Sequence, residues 1–143
     1  MQIGFTVRLP VDAGSVPFVR GLCRTALEHL HVERETIDEV TLVLSEACAN
    51  VVQHAGRLQD YEVRADIDDD RCRISVFDEG SGFDPDAVAA RPAGSLTDGG
   101  RGLVLMRALA DTLHFERDPD GRHCVTFAKQ LRVGGPSPVG ARA

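Results

Sequence analysis

Three polar side chains stand at steps of four in the otherwise apolar stretch VLSEACANVVQHAG, residues 43–56. They are a carboxylate, Glu46, an amide, Asn50, and an imidazole, His54. A helix turns each successive side chain by about 100°, so Glu46 and Asn50 share one helical face. A carboxylate can accept a proton, and an amide oxygen can hold a hard cation. The solvated face of an ordinary surface helix shows the same pattern, and this stretch alone favours that interpretation.

Two glycine-containing motifs follow this stretch. DEGSG, residues 78–82, places Asp78 beside Gly80 and Gly82 directly after a strand-like run. A carboxylate at a strand end can accept hydrogen bonds from an exocyclic amine, and glycines let the backbone approach a flat base. Turns are also rich in Asp and Gly, so this motif alone is weak.

The second motif is GGRG, residues 99–102, which comes immediately before an apolar helical pattern. Glycines at a helix N-terminus would expose backbone N–H groups that can cradle a phosphate. The alternative is a flexible entry to that helix. The P-loop pattern GxxxxGK[ST] occurs nowhere in the chain, so GGRG alone is also weak.

Composition limits the class of protein. A chain of 143 residues with 43% hydrophobic and 27% charged residues is predicted to form one globular domain. The net charge of -6 argues against nucleic-acid binding. No signal-peptide pattern or long apolar run occurs, so we expect a cytoplasmic protein without a membrane span. The cysteines, which lack metal-ligand spacing, are predicted to be small buried hydrophobes: Cys23, Cys48, Cys72 and Cys124.

Periodicity predicts the elements that must position these motifs. Helical patterns cover 13–30, 34–55 and 101–111, with Gly56 ending the second, and strand patterns cover 2–9, 61–68, 71–78, 112–118 and 122–131. Strands paired by hairpins, with helices grouped on one face, make an α+β two-layer sandwich. We expect residues 1–131 to form the domain and residues 132–143 to be a disordered tail.

The order and spacing of the motifs carry more information than each motif alone. A helix with E-A-x-x-N-x-x-x-H-A, a strand ending in D-x-G-x-G, and G-x-G-L leading into a helix together resemble the Bergerat-fold ATP-binding superfamily of gyrase, the 90-kilodalton heat-shock chaperone, histidine kinases and MutL (GHKL). Within it, the chain is most similar to the small bacterial anti-sigma-factor serine kinases, over residues 1–131. The resemblance implies the Bergerat fold, a mixed, mainly antiparallel sheet with helices on one face.

The resemblance also implies roles for individual residues. Asn50 would coordinate Mg²⁺, Glu46 would deprotonate the attacking hydroxyl, and Asp78 would read adenine. The remaining implied ATP-binding residues shape the base pocket or bind phosphate: Gly80, Gly82, Gly100, Arg101, Gly102 and Leu103. Residues 84–99 would form a mobile lid over the ATP.

Two positions have more than one implied role. Arg101 could neutralise phosphate charge or contact a partner, and both options stay open. His54 fits the family pattern, although packing beneath the site is favoured over chemistry. The family commonly has a glycine-threonine pair before the last strand, whereas here Arg122 and His123 follow Gly121. Any contact made by that threonine is therefore in doubt.

The resemblance implies a protein serine/threonine kinase that uses ATP and Mg²⁺. Its substrate would be a serine on a STAS-type anti-anti-sigma protein, and as a homodimer it would sequester a sigma factor. Phe18, Leu22 and Leu27 on the first helix are the predicted dimer surface. The alternative is an ATP-binding regulatory module that binds a partner without phosphotransfer. A histidine-kinase catalytic fragment is disfavoured, because only about 30 residues precede the motif helix.

Overall fold

Alternating apolar residues build the strands of one sheet. The computed structural model describes residues 1–54, 56–80 and 98–133. Its strands are β1 Ile3–Pro10, β2 Asp60–Ile67, β3 Arg71–Asp78, β4 Thr112–Arg117 and β5 His123–Gln130. They lie in the order β1-β2-β3-β5-β4, and every neighbouring pair is antiparallel. All predicted strands form, and the described sheet is antiparallel throughout rather than mixed.

The helices are α1 Ser15–His29, α2 Arg34–His54 and α3 Asp98–Leu109. Gly56 has a φ of 60°, a left-handed conformation that suits glycine just beyond a helix end. Helix α3 begins at Asp98, three residues earlier than predicted. The GGRG motif therefore lies within the first turns of α3 rather than in a loop before it.

One apolar core lies between the helices and a single face of the sheet. Its deepest members come from all three helices and from the alternating residues of β2, β3 and β5: Val19, Leu27, Val40, Leu44, Met106, Val63, Ile67, Ile74 and Phe127. This confirms the predicted α+β two-layer sandwich with helices on one face.

The opposite face of the sheet carries polar and charged side chains. Phe77 lies there between the guanidinium groups of Arg64 and Arg122, each 4.5 Å from the ring centroid. Glu62 Oε2 accepts a 2.6 Å hydrogen bond from Arg64 Nε. These arginine stems cover the ring, which is only 8% exposed although none of the three described helices lies on this face of the sheet.

Several surface predictions can be compared with the structure. Leu27 is fully buried and Leu22 is half-buried, so the predicted dimer surface on α1 was wrong for Leu27; Phe18 is 62% exposed. All four cysteines are free and buried, as predicted. Among the described residues, no helix is long and apolar enough to cross a membrane.

The chain stays attached to the fold up to the last described residue. Val32 and Val133 form an antiparallel bridge, and Glu33 N–H donates to the Arg132 carbonyl at 2.7 Å. The predicted tail from residue 134 onward lies outside the described residues.

Candidate functional site

Helix α2 positions the polar side chains of the first motif. Glu46 is half-buried and Asn50 is only 6% exposed. A solvated helix face would leave both side chains open to water, so the enclosed Asn50 argues for a site. The opposite stripe is buried in the core, as periodicity predicted, at Ile37, Leu44, Cys48 and Val51. Ala55, predicted in the same stripe, lies outside the described residues.

Gly102 brings helix α3 against Glu46. A Cβ at Gly102 would lie 3.1 Å from Glu46 Oε2 and 3.4 Å from the carboxyl carbon. Any side chain at this position would therefore press on the carboxylate. Leu103 and Met106 hold α3 in place, because they are 4% and 0% exposed in the core. Two motifs that are distant in sequence thus become neighbours, and Leu103, predicted to bind ATP, has its side chain in the core.

The start of α3 offers backbone donors close to this carboxylate. Gly99 and Gly100 lie in the first turn of α3, where helical geometry leaves N–H groups without an intrahelical acceptor. The helix dipole adds partial positive charge at the same end, which favours an anion. Arg101 is exposed in this turn. Gly102 lies one turn into the helix, so its part is to make room for Glu46.

The second motif lies where β3 ends. Asp78 is half-buried, and its Oδ1 accepts a 2.9 Å hydrogen bond from Gly80 N–H. A Cβ at Gly80 would lie 2.9 Å from Leu58 Cδ1, so a larger residue at position 80 would have to displace the Leu58 side chain. Leu58 follows α2 by four residues. Gly80 therefore lies against the segment that connects α2 to β2.

Other predicted positions fall differently. His54 is exposed, so the expectation that it packs beneath the site was wrong. His54 is the last residue of α2 and lies beyond the buried stripe of that helix. Gly82 and residues 84–97 of the predicted lid lie outside the described residues, and residues 98 and 99 of that predicted lid are helical.

Two ionisable side chains behind the site are neutral near pH 7, namely Cys48 and Tyr61. Burial raises the pKa of the Cys48 thiol to about 12. Burial also raises the pKa of the Tyr61 phenol above its ordinary value. Tyr61 is held by a 2.7 Å hydrogen bond with Ser15 Oγ. Cys48 and Tyr61, which pack under α2, therefore stay protonated and uncharged near pH 7.

His123 is a candidate that the sequence motifs missed. It is the cross-strand partner of Asp78 in the β3–β5 pair, so both side chains point to the same face of the sheet. Its Nε2 is buried and has no hydrogen-bond partner among the residues that the structure describes. Only the strand register could have revealed this neighbour, because β3 and β5 are far apart in sequence.

Asn50 fits Mg²⁺ as a single protein ligand. Mg²⁺ prefers oxygen ligands, keeps several waters, and binds through one or two protein groups plus substrate phosphates. The Asn50 amide supplies such an oxygen on the face that it shares with Glu46. Within residues 1–54, 56–80 and 98–133, no cluster of three or more His, Cys, Asp or Glu could hold a metal by itself. The residues present therefore fit a cation that arrives with a nucleotide.

Comparisons with known sequences agree with this geometry. A family model described as histidine kinase-like ATPase domain matches residues 9–129. The serine-protein kinase RsbW of Bacillus velezensis is 28% identical over 116 residues, covering 73% of this chain and 72% of that protein. RsbW of Halalkalibacterium halodurans is 30% identical over 126 residues, covering 79% of this chain and 76% of that protein.

Two solved structures share the fold. The crystal structure of the RsbU and RsbW domains of Rv1364c from Mycobacterium tuberculosis matches with a TM-score of 0.66 at 19% identity, over 90% of this chain and 32% of that chain. This chain therefore corresponds to about a third of that longer one. The SiaB-SiaC complex from Pseudomonas aeruginosa matches with a TM-score of 0.61 at 14% identity, over 88% of this chain and 89% of that chain.

The matches confirm the family predicted from the motifs. The family model spans most of the chain, and the RsbW of Halalkalibacterium halodurans aligns with more than two thirds of it. The chain therefore belongs to the histidine kinase-like ATPase domain family and, within it, to the serine-protein kinases of the RsbW type.

Proposed function

We propose that this chain transfers phosphate from ATP, with Mg²⁺, to a serine or threonine of a STAS-type anti-anti-sigma protein. Acting as a homodimer, it would then sequester a sigma factor once the phosphorylated STAS partner has dissociated. Family membership supports the kinase chemistry. The observation that carries the proposal is the contact between Gly102 and Glu46, because it sets a carboxylate beside a phosphate-binding helix start.

Phosphoryl transfer asks a protein mainly to position the reactants and to stabilise charge on the transferring group. Glu46 Oε2 would accept the proton of the incoming hydroxyl as the hydroxyl oxygen bonds to the γ-phosphorus, and the bond from that phosphorus to ADP would break so that ADP leaves. The N–H groups of the first turn of α3, including that of Gly100, would donate to phosphate oxygens. Gly102 keeps the Glu46 carboxylate at this place by leaving it room.

The base and the cation would be held by the other motif residues. Asp78 is oriented by its hydrogen bond from Gly80 N–H. Its carboxylate would accept a hydrogen bond from the exocyclic amine of adenine. Asn50 would hold Mg²⁺ through its amide oxygen, and the cation would neutralise phosphate charge. Leu103 would act indirectly, because its buried side chain fixes the start of α3. We assign Gly82 to the same base pocket on the motif alone.

Glu46→Gln tests the assigned base. The variant keeps a side chain of the same shape but cannot accept the proton, so we expect transfer to a STAS protein of the same genome to fall by about 10²–10⁴-fold. The dissociation constant for ATP should stay within about twofold, since the base is not a binding group. Labelled-phosphate transfer and calorimetric ATP binding measure the two quantities separately. Asn50→Ala should also abolish transfer, because Mg²⁺ would lose its protein ligand.

Gln53→Ala is the matched control, because Gln53 is an exposed polar residue on the same helix. It should leave both transfer and ATP binding unchanged. A Glu46→Gln variant with full transfer activity would remove Glu46 from the role of base. Wild-type protein that binds ATP but transfers nothing to any STAS protein would instead support the regulatory module without phosphotransfer.

A further inference from the structure

His123 Nε2 is a buried polar atom that lacks a hydrogen-bond partner among the described residues. Across the described residues, it is the buried side-chain nitrogen or oxygen that lacks a hydrogen-bond partner. Leaving such an atom unpaired lowers the stability of the folded protein. Native proteins seldom accept that cost, and they do so where a ligand or an ordered water supplies the missing partner.

The sheet register places this atom beside the proposed base pocket. Asp78 and His123 are direct partners in the antiparallel β3–β5 pair, so their Cβ atoms lie about 4.5–5.5 Å apart on one face. That face is the one covered by the helices, since the partners Ile74 and Phe127, four residues along each strand, are both in the core. Gly80 contacts Asp78 from the loop side. His123 therefore borders the base-reading carboxylate and not the phosphate-binding start of α3.

The other neighbour of His123 does not satisfy its free nitrogen. Arg117 pairs with His123 from β4, but its Nη1 donates to the Gly121 carbonyl at 2.9 Å. That bond directs the guanidinium toward the β4–β5 turn. The imidazole thus lies between an engaged arginine and Asp78, and a ligand held by Asp78 would meet it directly.

We propose that His123 is a second residue that recognises the adenine base. Its Nε2 forms a hydrogen bond with the same purine edge whose amine donates a hydrogen bond to Asp78. This inference rests on the proposed ATP site. A neutral imidazole presents a donor at one ring nitrogen and an acceptor at the other. The bond would satisfy the buried nitrogen and fix the orientation of the base. A nucleotide without a matching group would leave the nitrogen unpaired and bind more weakly.

His123→Leu tests the proposal by comparing ATP with inorganic tripolyphosphate, which has phosphates but no base. Loss of one hydrogen bond should weaken ATP binding by about 2- to 13-fold, the range that corresponds to its usual net contribution. Tripolyphosphate binding should not change. His123→Gln, whose amide can reach the Nε2 position, should restore part of the ATP affinity. The control is His114→Leu on the opposite face of the sheet, where His114 pairs with Thr126, and it should bind both ligands normally.

A stability measurement separates recognition from folding. In nucleotide-free protein, His123→Leu removes an unpaired buried nitrogen, so its melting temperature should equal or exceed that of the wild type. If the melting temperature of His123→Leu falls instead, the ATP affinities of His123→Gln and His123→Asn are compared, because only glutamine reaches the Nε2 position. Equal ATP affinities of these two variants would overturn the proposal. Unchanged ATP affinity in His123→Leu, or an equal loss for tripolyphosphate, would overturn it too. A wild-type protein that binds no ATP would refute the proposed function instead.

Discussion

At the scale of single residues, the types needed for the chemistry were readable from the sequence, but their contacts were not. Spacing on one helix predicted that Glu46 and Asn50 share a face. It could not show that Gly102 touches Glu46 or that His123 stands opposite Asp78, because both contacts depend on how separate elements meet. The exposed His54 was misjudged for the same reason: its burial depends on where the sheet ends.

Gly102→Ala should impair transfer more than folding. The added Cβ would lie 3.1 Å from Glu46 Oε2, and the carboxylate, as the end of a flexible side chain, would move away. A misplacement of about 1 Å can cost up to about 10²-fold in rate. Alanine also favours a helix over glycine by about 1 kcal/mol. We therefore expect the rate of transfer to fall by roughly 10-fold to 10²-fold. The denaturation midpoint should be unchanged or higher.

Gly21→Ala is the matched control within α1. A Cβ there has no heavy atom within 4 Å, so this variant should gain about 1 kcal/mol of stability and keep full transfer activity. Full activity of Gly102→Ala would show that the position of the Glu46 carboxylate does not limit the reaction.

At the scale of elements, existence was predictable and one important boundary was not. The apolar stripe predicted helix α2, and the alternation of apolar and polar residues predicted the strands. Helix α3 begins at Asp98, although glycines disfavour helix interiors by about 1 kcal/mol each. Packing of Leu103 and Met106 in the core outweighs that local cost. Sequence reasoning counts the glycine cost but cannot weigh the tertiary contacts that offset it.

The end of α2 gives a prediction at this scale. Gly56 has a φ of 60°, a region that costs residues with a Cβ about 1–2 kcal/mol. Gly56→Ala should therefore lower the free energy of unfolding by about 1–2 kcal/mol, as measured by urea denaturation. Gly56→Asn should lose less, since asparagine tolerates this conformation better. Equal stability of the alanine variant and the wild type would mean that the chain ends α2 in another way.

At the scale of the whole molecule, the periodicity of the elements and the motif order predicted the sandwich. The strand order β1-β2-β3-β5-β4 was not predictable from local patterns, because β5 inserts between two strands that precede it. The neutral, apolar core was predictable, including its cysteines. Burial raises the pKa of the Cys23 and Cys48 thiols to about 12 each, and it raises the pKa of Cys72 as well.

These thiols should report global unfolding. A raised pKa means that the neutral thiol persists at pH 8, where an unfolded cysteine with a pKa near 8.5 is partly ionised. Native protein treated with iodoacetamide at pH 8 should therefore show almost no alkylation in its intact mass, and protein in denaturant should show full alkylation. Saturating ATP should slow the native reaction further, since a ligand lowers the unfolded fraction. Rapid alkylation of one thiol in native protein would reveal local opening around it.

The insertion of β5 has a consequence for the nascent chain on the ribosome. Strand β5 is synthesised last of the five, yet it occupies an interior position and is the partner through which β4 joins the described sheet. Until residues 123–130 emerge, β3 presents an open edge and β4 has no neighbour to pair with, a condition that invites chaperone binding or aggregation. Asp78 also lacks its cross-strand neighbour His123 until that strand has been synthesised. Folding can therefore be completed only after translation has passed β5.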